Sequence, residues 1–341
     1  MSEVSAKGSE GEDGVYQATQ ARCKPPDVPT LEALLEDLAL DGYSTDNASR
    51  LLSSGPDESS KWYEIRSSPG KGLGVFATVD IPRGARIMAD ECLFYIVGPK
   101  AMISEIEAGF DNLTPAQQKD YLALRCPDYP GKSPIIRRWE ANCFAMDHDT
   151  GIFLVASRIN HSCTPNALFK WNGNIQRETV HAIVDIPAGT EIETSYCPPH
   201  KDAYSRREKL EHYGFDCLCD PCRQDNPAGK ASEDRRCRMT EINSQVNDSS
   251  NTAPSASKAN AHPDTLNAHL ELIRLLEEEQ LFQKELGDQY RKAAVCSEAQ
   301  GDTGNASAYA RMGLQNDLTC LGADSPMVQE AMDFLQSLKS G

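Results

Sequence analysis

From residue 62 onward, apolar positions fall in short alternating runs cut by glycine and proline, at 62–66, 74–79 and 86–94. Such runs predict short strands in small sheets. Residues 100–145 change period and read as helical. There Thr114-Pro115-Ala116-Gln117 has the form of a helix start, a capping hydroxyl followed by proline in the first helical position. Strand texture returns at 152–155, 167–171, 180–183 and 191–195. Residues 224–262 are rich in Ser, Asn and Ala with no apolar period, and predict a flexible linker over 223–263. From 264 to 341 the chain reads as helical. Leu266, Leu270, Ile273, Leu276 and Leu281 form its first apolar face, and further segments follow at 283–299, 303–321 and 325–338. Ahead of all this, residues 1–60 form an acidic segment, largely disordered by composition. Within it, 31–40 is a short amphipathic helix candidate, better read as packed on the domain behind it than as a partner-docking motif. The expected architecture is therefore a β-rich domain over 61–222 with a helical insert, then a linker, then an all-α tail.

Charge narrows the choice of partners. The chain of 341 residues carries 51 acidic against 34 basic side chains, a formal charge of −17. Counted along the sequence, the net charge is −8 over 1–60, −3 over 61–222 and −6 over 223–341. No basic stripe is available to follow a phosphate backbone, so direct nucleic-acid binding is not expected. A basic, lysine-bearing protein suits the field better. No run of eighteen apolar residues occurs and the first residues are acidic, so neither a membrane span nor a secretory signal is expected. The expected setting is intracellular, nuclear or cytoplasmic. Twelve cysteines in a reducing compartment then call for an explanation other than disulfides.

Cys217-Leu-Cys219-Asp-Pro-Cys222 places three soft ligands within six residues, which suits tetrahedral zinc better than any disulfide. A closed site needs a fourth ligand, for which Cys197 and Cys237 are candidates. Upstream, Gly70-Lys71-Gly72-Leu73-Gly74 lies between two strand candidates, where missing side chains let the backbone approach a polar ligand. No helix or acidic strand end follows at the distance a dinucleotide fold requires, and alone the loop reads as a β-turn.

The run Asn160-His161-Ser162-Cys163-Thr164-Pro165-Asn166, followed by Tyr196 and the cysteine cluster, resembles the SET-domain lysine methyltransferases, closest to the SET-and-MYND branch. The resemblance covers 62–222 well and the C-terminal helices more loosely. It implies several small sheets in a pseudoknot-like arrangement, and a tetratricopeptide-like tail over 264–341. It also implies S-adenosylmethionine as methyl donor, with cofactor contacts at Lys71, Gly72, Leu73 and Gly74 and at the Asn160-His161 pair. Asn142, with Glu140 nearby, resembles an asparagine that touches the methionine end in this branch. Tyr213 and Phe215, in the segment 213–222, would stack over the adenine. Cys163 becomes the fourth ligand of one structural zinc beside Cys217, Cys219 and Cys222. Two departures stand out. The acidic pair usual after Gly189 is Thr190-Glu191 here, and the insert carries only Cys126 and Cys143, so the MYND zinc finger is absent.

The segment from Ile186 to Tyr196 resembles the family's approach to its catalytic tyrosine, which assigns that role to Tyr196. A lysine amine with a pKa near ~10.4 costs roughly 4–5 kcal/mol to deprotonate at neutral pH. Desolvation and a neighbouring sulfonium lower that cost. A tyrosine hydroxyl then suffices to orient the amine, with no strong base, and His161 is read as structural. The expected activity is methylation of lysine side chains in a protein, histone or non-histone. One rival is a SET-derived cofactor- or protein-binding module that acts through its tail without catalysis; it would have lost the tyrosine or the Asn-His pair. A zinc-stabilised interaction module without cofactor leaves the order of glycine loop, Asn-His and Tyr196 unexplained.

Overall fold

The computed structural model describes residues 62–252 and 263–340. The acidic segment 1–60 and the helix expected at 31–40 lie outside them. Three small sheets carry the strands. In the first, β1 (Tyr63–Ser68), β2 (Gly72–Ala77), β10 (Glu191–Thr194) and β7 (Asn160–His161) lie in the order β1-β2-β10-β7. The second is β3 (Arg86–Asp90), β9 (Arg177–Ala182) and β8 (Ala167–Asn172), with β9 central. The third pairs β4 (Cys92–Ile96), β6 (Asp149–Phe153) and β5 (Cys143–Met146), with β6 central. Every pairing is antiparallel except β7 with β10, which run parallel. Val75, Ile159, Val180 and Ile192, each almost without solvent contact, form the apolar centre between the first two sheets. Burying each contributes roughly 1.5–3 kcal/mol.

The helical insert holds α1 (Ile103–Asp111), α2 (Pro115–Leu122) and α3 (Pro134–Asn142). The start expected at Thr114 is present: its hydroxyl accepts from the Gln117 amide at 3.3 Å, and the Gln117 side chain accepts from the Thr114 amide at 3.0 Å. This reciprocal box satisfies two amides that the first turn leaves without partners. After β10 come α4 (Ala203–Glu211), α5 (Pro227–Thr252), α6 (Pro263–Glu278), α7 (Lys284–Ala299), α8 (Thr303–Leu321) and α9 (Pro326–Ser340). Among the described residues, no helix is long and apolar enough to cross a membrane.

Two findings correct the sequence reading. Residues 227–252 form a helix instead of a flexible linker. Its apolar face is confined to Met239, Ile242 and the partly buried Val246, which pack on α6. Nearer the start of the helix the same buried face is polar, with Ser232 and Arg236, so no sustained apolar period announced it. Second, the tail does not stand apart. Ile183, at the end of β9, belongs to the same apolar cluster as Leu314, Leu321, Val328 and Leu335 of α8 and α9. Arg86 of β3 pairs with Asp324 in the loop between those helices, and Asn172 donates to the same carboxylate at 3.0 Å.

Candidate functional site

The parallel pairing of β7 with β10 organises the site. It sets Asn160 beside Glu193 and His161 beside Thr194, so residues more than thirty positions apart in sequence share one strand edge. Two residues after Thr194, the Tyr196 amide donates to His161 Nδ1 at 3.0 Å. That acceptor role puts the imidazole proton on Nε2, which lies 3.3 Å from Cys163 Sγ. Burial pulls the His161 pKa down to about 4, so the ring is neutral at physiological pH. It braces two neighbours instead of carrying charge.

The Tyr196 hydroxyl donates to the Ile159 carbonyl at 2.5 Å. Burial pushes its pKa well above the usual tyrosine value, so the proton stays in place. Tyr213 packs on the Tyr196 ring with centroids 4.8 Å apart, and Phe215 meets it edge-on at 6.4 Å.

The glycine loop is shaped by backbone demands. Gly70 and Gly72 have φ of 77° and 89°, the left-handed region that other residues enter at a cost. A Cβ on Gly74 would stand 2.3 Å from Glu191 Oε1 and 3.0 Å from Asn160 Nδ2. The contact is used: Asn160 Nδ2 donates to the Leu73 carbonyl at 3.0 Å and to Glu191 at 2.7 Å. The Asn160 amide group thus fastens strand to loop. Lys71 reaches both Glu191, at 3.4 Å, and Glu193. Its ammonium is already paired.

These elements surround a cavity of about 1060 Å³. Lys71, Leu73, Asn160, His161, Tyr196, Tyr213 and Phe215 line it, so six of the expected cofactor contacts share one space with the expected catalytic tyrosine. Gly72 and Gly74 shape the loop without lining the cavity, and Asn142 departs from expectation. Its neighbour Ala141 lines the wall, but the Asn142 side chain donates to the Arg125 and Arg138 carbonyls, both at 2.9 Å. It closes the end of α3 and fixes the turn after α2, and its two N–H groups are consumed there.

Four sulfurs, those of Cys163, Cys217, Cys219 and Cys222, lie within 4.8 Å of one another. Cys163 and Cys222 are 3.6 Å apart, and Cys217 and Cys219 are 3.2 Å apart. A tetrahedron with metal–sulfur bonds of about 2.3 Å has edges of about 3.8 Å, so the donor set fits a zinc ion. Two guanidiniums whose side chains are wholly buried stand against it. Arg206 Nη2 is 3.8 Å from Cys222 Sγ, and Arg236 donates to the Cys163 carbonyl at 3.2 Å. Of the rival ligands, Cys237 is exposed on α5 and turned to Glu233, outside the group. Cys197 approaches Cys163 and His161 to within 4.8 Å, but is not one of the four sulfurs.

Several wall residues went unread in the sequence. Arg125 comes from the helical insert, Arg158 from the turn after β6, and Ser232, Arg235, Glu279 and Gln280 from α5 and the residues just past α6. Ser232, Arg235 and Arg236 have the 3–4 spacing of one helix face, the one signal available. It was masked by the polar composition around it.

Comparison with known proteins agrees with this architecture. The SET domain family model matches residues 72–197. A fission yeast protein, the histone-lysine N-methyltransferase set5 of Schizosaccharomyces pombe, is 31% identical over 82% of this chain and 85% of its own. A methyltransferase of Gibberella zeae is 43% identical over 26% of this chain and 12% of its own. A SET and MYND domain-containing protein of Dictyostelium discoideum is 40% identical over 22% of each chain.

Proposed function

We propose, from the premise that this chain belongs to the SET-domain protein-lysine methyltransferases, a division of labour among the residues around its cavity. The chain is an S-adenosylmethionine-dependent methyltransferase acting on protein lysines. The observation that carries the residue assignments is that Tyr196, the Asn160-His161 strand, the glycine loop and the Tyr213-Phe215 pair line a single cavity.

When bound, S-adenosylmethionine supplies an electrophilic methyl group on a positively charged sulfur. The protein has three tasks. It orders the cofactor through the loop at 70–74, the backbone of Asn160 and His161, and the rings of Tyr213 and Phe215. It strips water from the incoming lysine, which lowers the cost of the neutral amine. It also aligns that amine with the methyl, which can supply several kcal/mol of the barrier. Tyr196 is the catalytic residue for the last task. Its proton is directed at the Ile159 carbonyl, so the oxygen lone pairs are left to face the amine. His161, neutral and bonded to the Tyr196 amide, positions that residue and is not a base.

Cys163, Cys217, Cys219 and Cys222 would hold one structural zinc, tying the 213–222 segment over the cavity. The substrate is a lysine within a basic protein; the named relatives point to histones as the first class to try. The test is transfer of label from methyl-labelled S-adenosylmethionine to an array of lysine peptides, read with lysine-to-arginine controls. Label on lysine peptides alone is expected. Label on neither histone nor other lysine peptides, from folded cofactor-binding protein, overturns the reading.

A further inference from the structure

Each cation on the cavity wall can be asked what balances it. Lys71 is balanced by Glu191 and Glu193, and Arg235 by Glu279 at 2.5 Å. Arg223 belongs to the cysteine loop, donating to the Leu218 carbonyl at 3.0 Å. Arg158 donates to the Ala123 carbonyl at 2.9 Å, bracing the turn after α2, with Asp120 acting on it electrostatically. Among the described residues Arg125, like Arg158 and Arg223, has no carboxylate within ion-pair distance, but of the three it is the one bonded to the glycine loop. Its one hydrogen-bonded contact from the guanidinium runs from Nη1 to the Lys71 carbonyl, at 2.6 Å.

That contact places a charged fork against the glycine loop. A Cβ on Gly72 would meet Arg125 Cδ at 3.8 Å and Nη1 at 3.9 Å, so the arginine lies across the loop. The Asn142 amide holds the Arg125 carbonyl at 2.9 Å, fixing the backbone that carries it. A guanidinium has five N–H donors, and its planar fork matches a carboxylate in a two-point grip. A basic peptide would be repelled from this spot, so the substrate is the wrong partner. The methyl donor carries one anion, the carboxylate of its amino-acid end; its amine and sulfur are both positive.

We propose that Arg125 grips the carboxylate of the cofactor's amino-acid end, an assignment that rests on the methyltransferase reading above. Recognition of this end then comes from the helical insert, with Asn142 acting on it only by positioning Arg125.

The test is calorimetric and needs no turnover. Binding of S-adenosylhomocysteine is compared with that of its decarboxylated counterpart, 5′-deoxy-5′-(3-aminopropylthio)adenosine, which keeps the adenosine and the amine. The wild-type protein should prefer the carboxylate-bearing ligand by about tenfold to a hundredfold, as for a charge-assisted hydrogen bond. Arg125→Met should erase that preference while binding the decarboxylated compound as the wild type does. If Arg125→Met weakens both ligands equally, the arginine only braces the loop and the proposal is wrong. Equal wild-type affinity for the two compounds also overturns it, while leaving the methyltransferase reading intact. Binding of neither compound by the wild type would bring down both. Should the methionine variant fail to fold, Arg125→Lys keeps the charge without the fork and should retain only part of the preference; full retention refutes the two-point grip.

Discussion

Replacing Glu279 by glutamine removes one charge and almost no volume from a place where little else can compensate. Glu279 accepts from Ser232 Oγ and Arg235 Nε, each at 2.5 Å, and pairs with Arg236 at 2.8 Å. The Arg236 side chain has no solvent exposure and the Glu279 side chain retains 4%. Burial already lowers the Arg236 pKa, the Glu279 charge opposes that, and the nearby Arg206 lowers it again. With glutamine at 279, Arg236 keeps its bonds to Ser232 and to the Cys163 carbonyl but loses the anion balancing it. Breaking a buried pair from one side costs about 3–5 kcal/mol, because the remaining charge cannot be rehydrated. Total stability for a folded domain is about 5–15 kcal/mol, so the loss is a large fraction. Urea unfolding of Glu279→Gln should show a lower midpoint with an unchanged slope. Removing both charges, in Glu279→Gln with Arg236→Met, should recover at least about 1 kcal/mol relative to additivity. A loss below about 1 kcal/mol in the single variant, with no coupling in the double, would refute the claim that this pair is dry.

Tyr196→Phe should leave affinity for S-adenosylhomocysteine nearly unchanged and slow single-turnover methylation by about thirty- to a thousand-fold, the equivalent of about 2–4 kcal/mol for one preorganised hydroxyl; an undiminished rate would assign the role to another residue. Elemental analysis should find one zinc per chain, lost in Cys219→Ser and retained in Cys237→Ser; zinc-free protein of unaltered melting temperature would rule out a structural metal. His181 is wholly buried beside Arg86, and burial pulls its pKa down to about 3. The unfolded chain therefore binds the extra proton from about pH 6.5 downward while the folded chain does not, so stability is flat above that pH and falls below it. The slope should reach up to about 1.4 kcal/mol per pH unit from this group, and His181→Gln should flatten the unfolding midpoint against pH by that share. An equal slope in the variant would assign the acid sensitivity to other groups.

What the sequence made legible follows from where information is local. The alternating runs at 74–79 and 180–183 and the helix start at Thr114 are short-range patterns; the runs overlap β2 and β9 with their bounds shifted by one to three residues, and the helix start falls at Thr114. The cysteines at 217, 219 and 222 converge because six residues cannot separate them far. Asn160 and His161 depend on a parallel strand pairing that no local pattern encodes, and came through the motif they form with their neighbours. Arg125 and Glu279 are silent in sequence. An arginine after a helix and a glutamate at a helix end are ordinary, and only folding reveals what they lie beside. The helix at 227–252 was missed for the same reason: ion pairs hold its buried face, and charge has no hydropathic rhythm.

The apolar cluster that joins Ile183 to α8 and α9 also has a temporal side. Ribosomes add roughly 5–20 residues per second, so the last helix follows the end of β9 by something on the order of ten seconds or more. Throughout that interval the nascent β8–β9 ladder stands with the face destined for α8 and α9 bare. The strands able to build the active site are thus made well before the helices that shield their reverse side. A newborn chain is at its stickiest when its catalytic half is already complete in sequence. Holdase binding or slowed translation before α8 would protect that interval, and substitutions on the α8–α9 face would lower the yield of enzyme without touching a residue of the cavity.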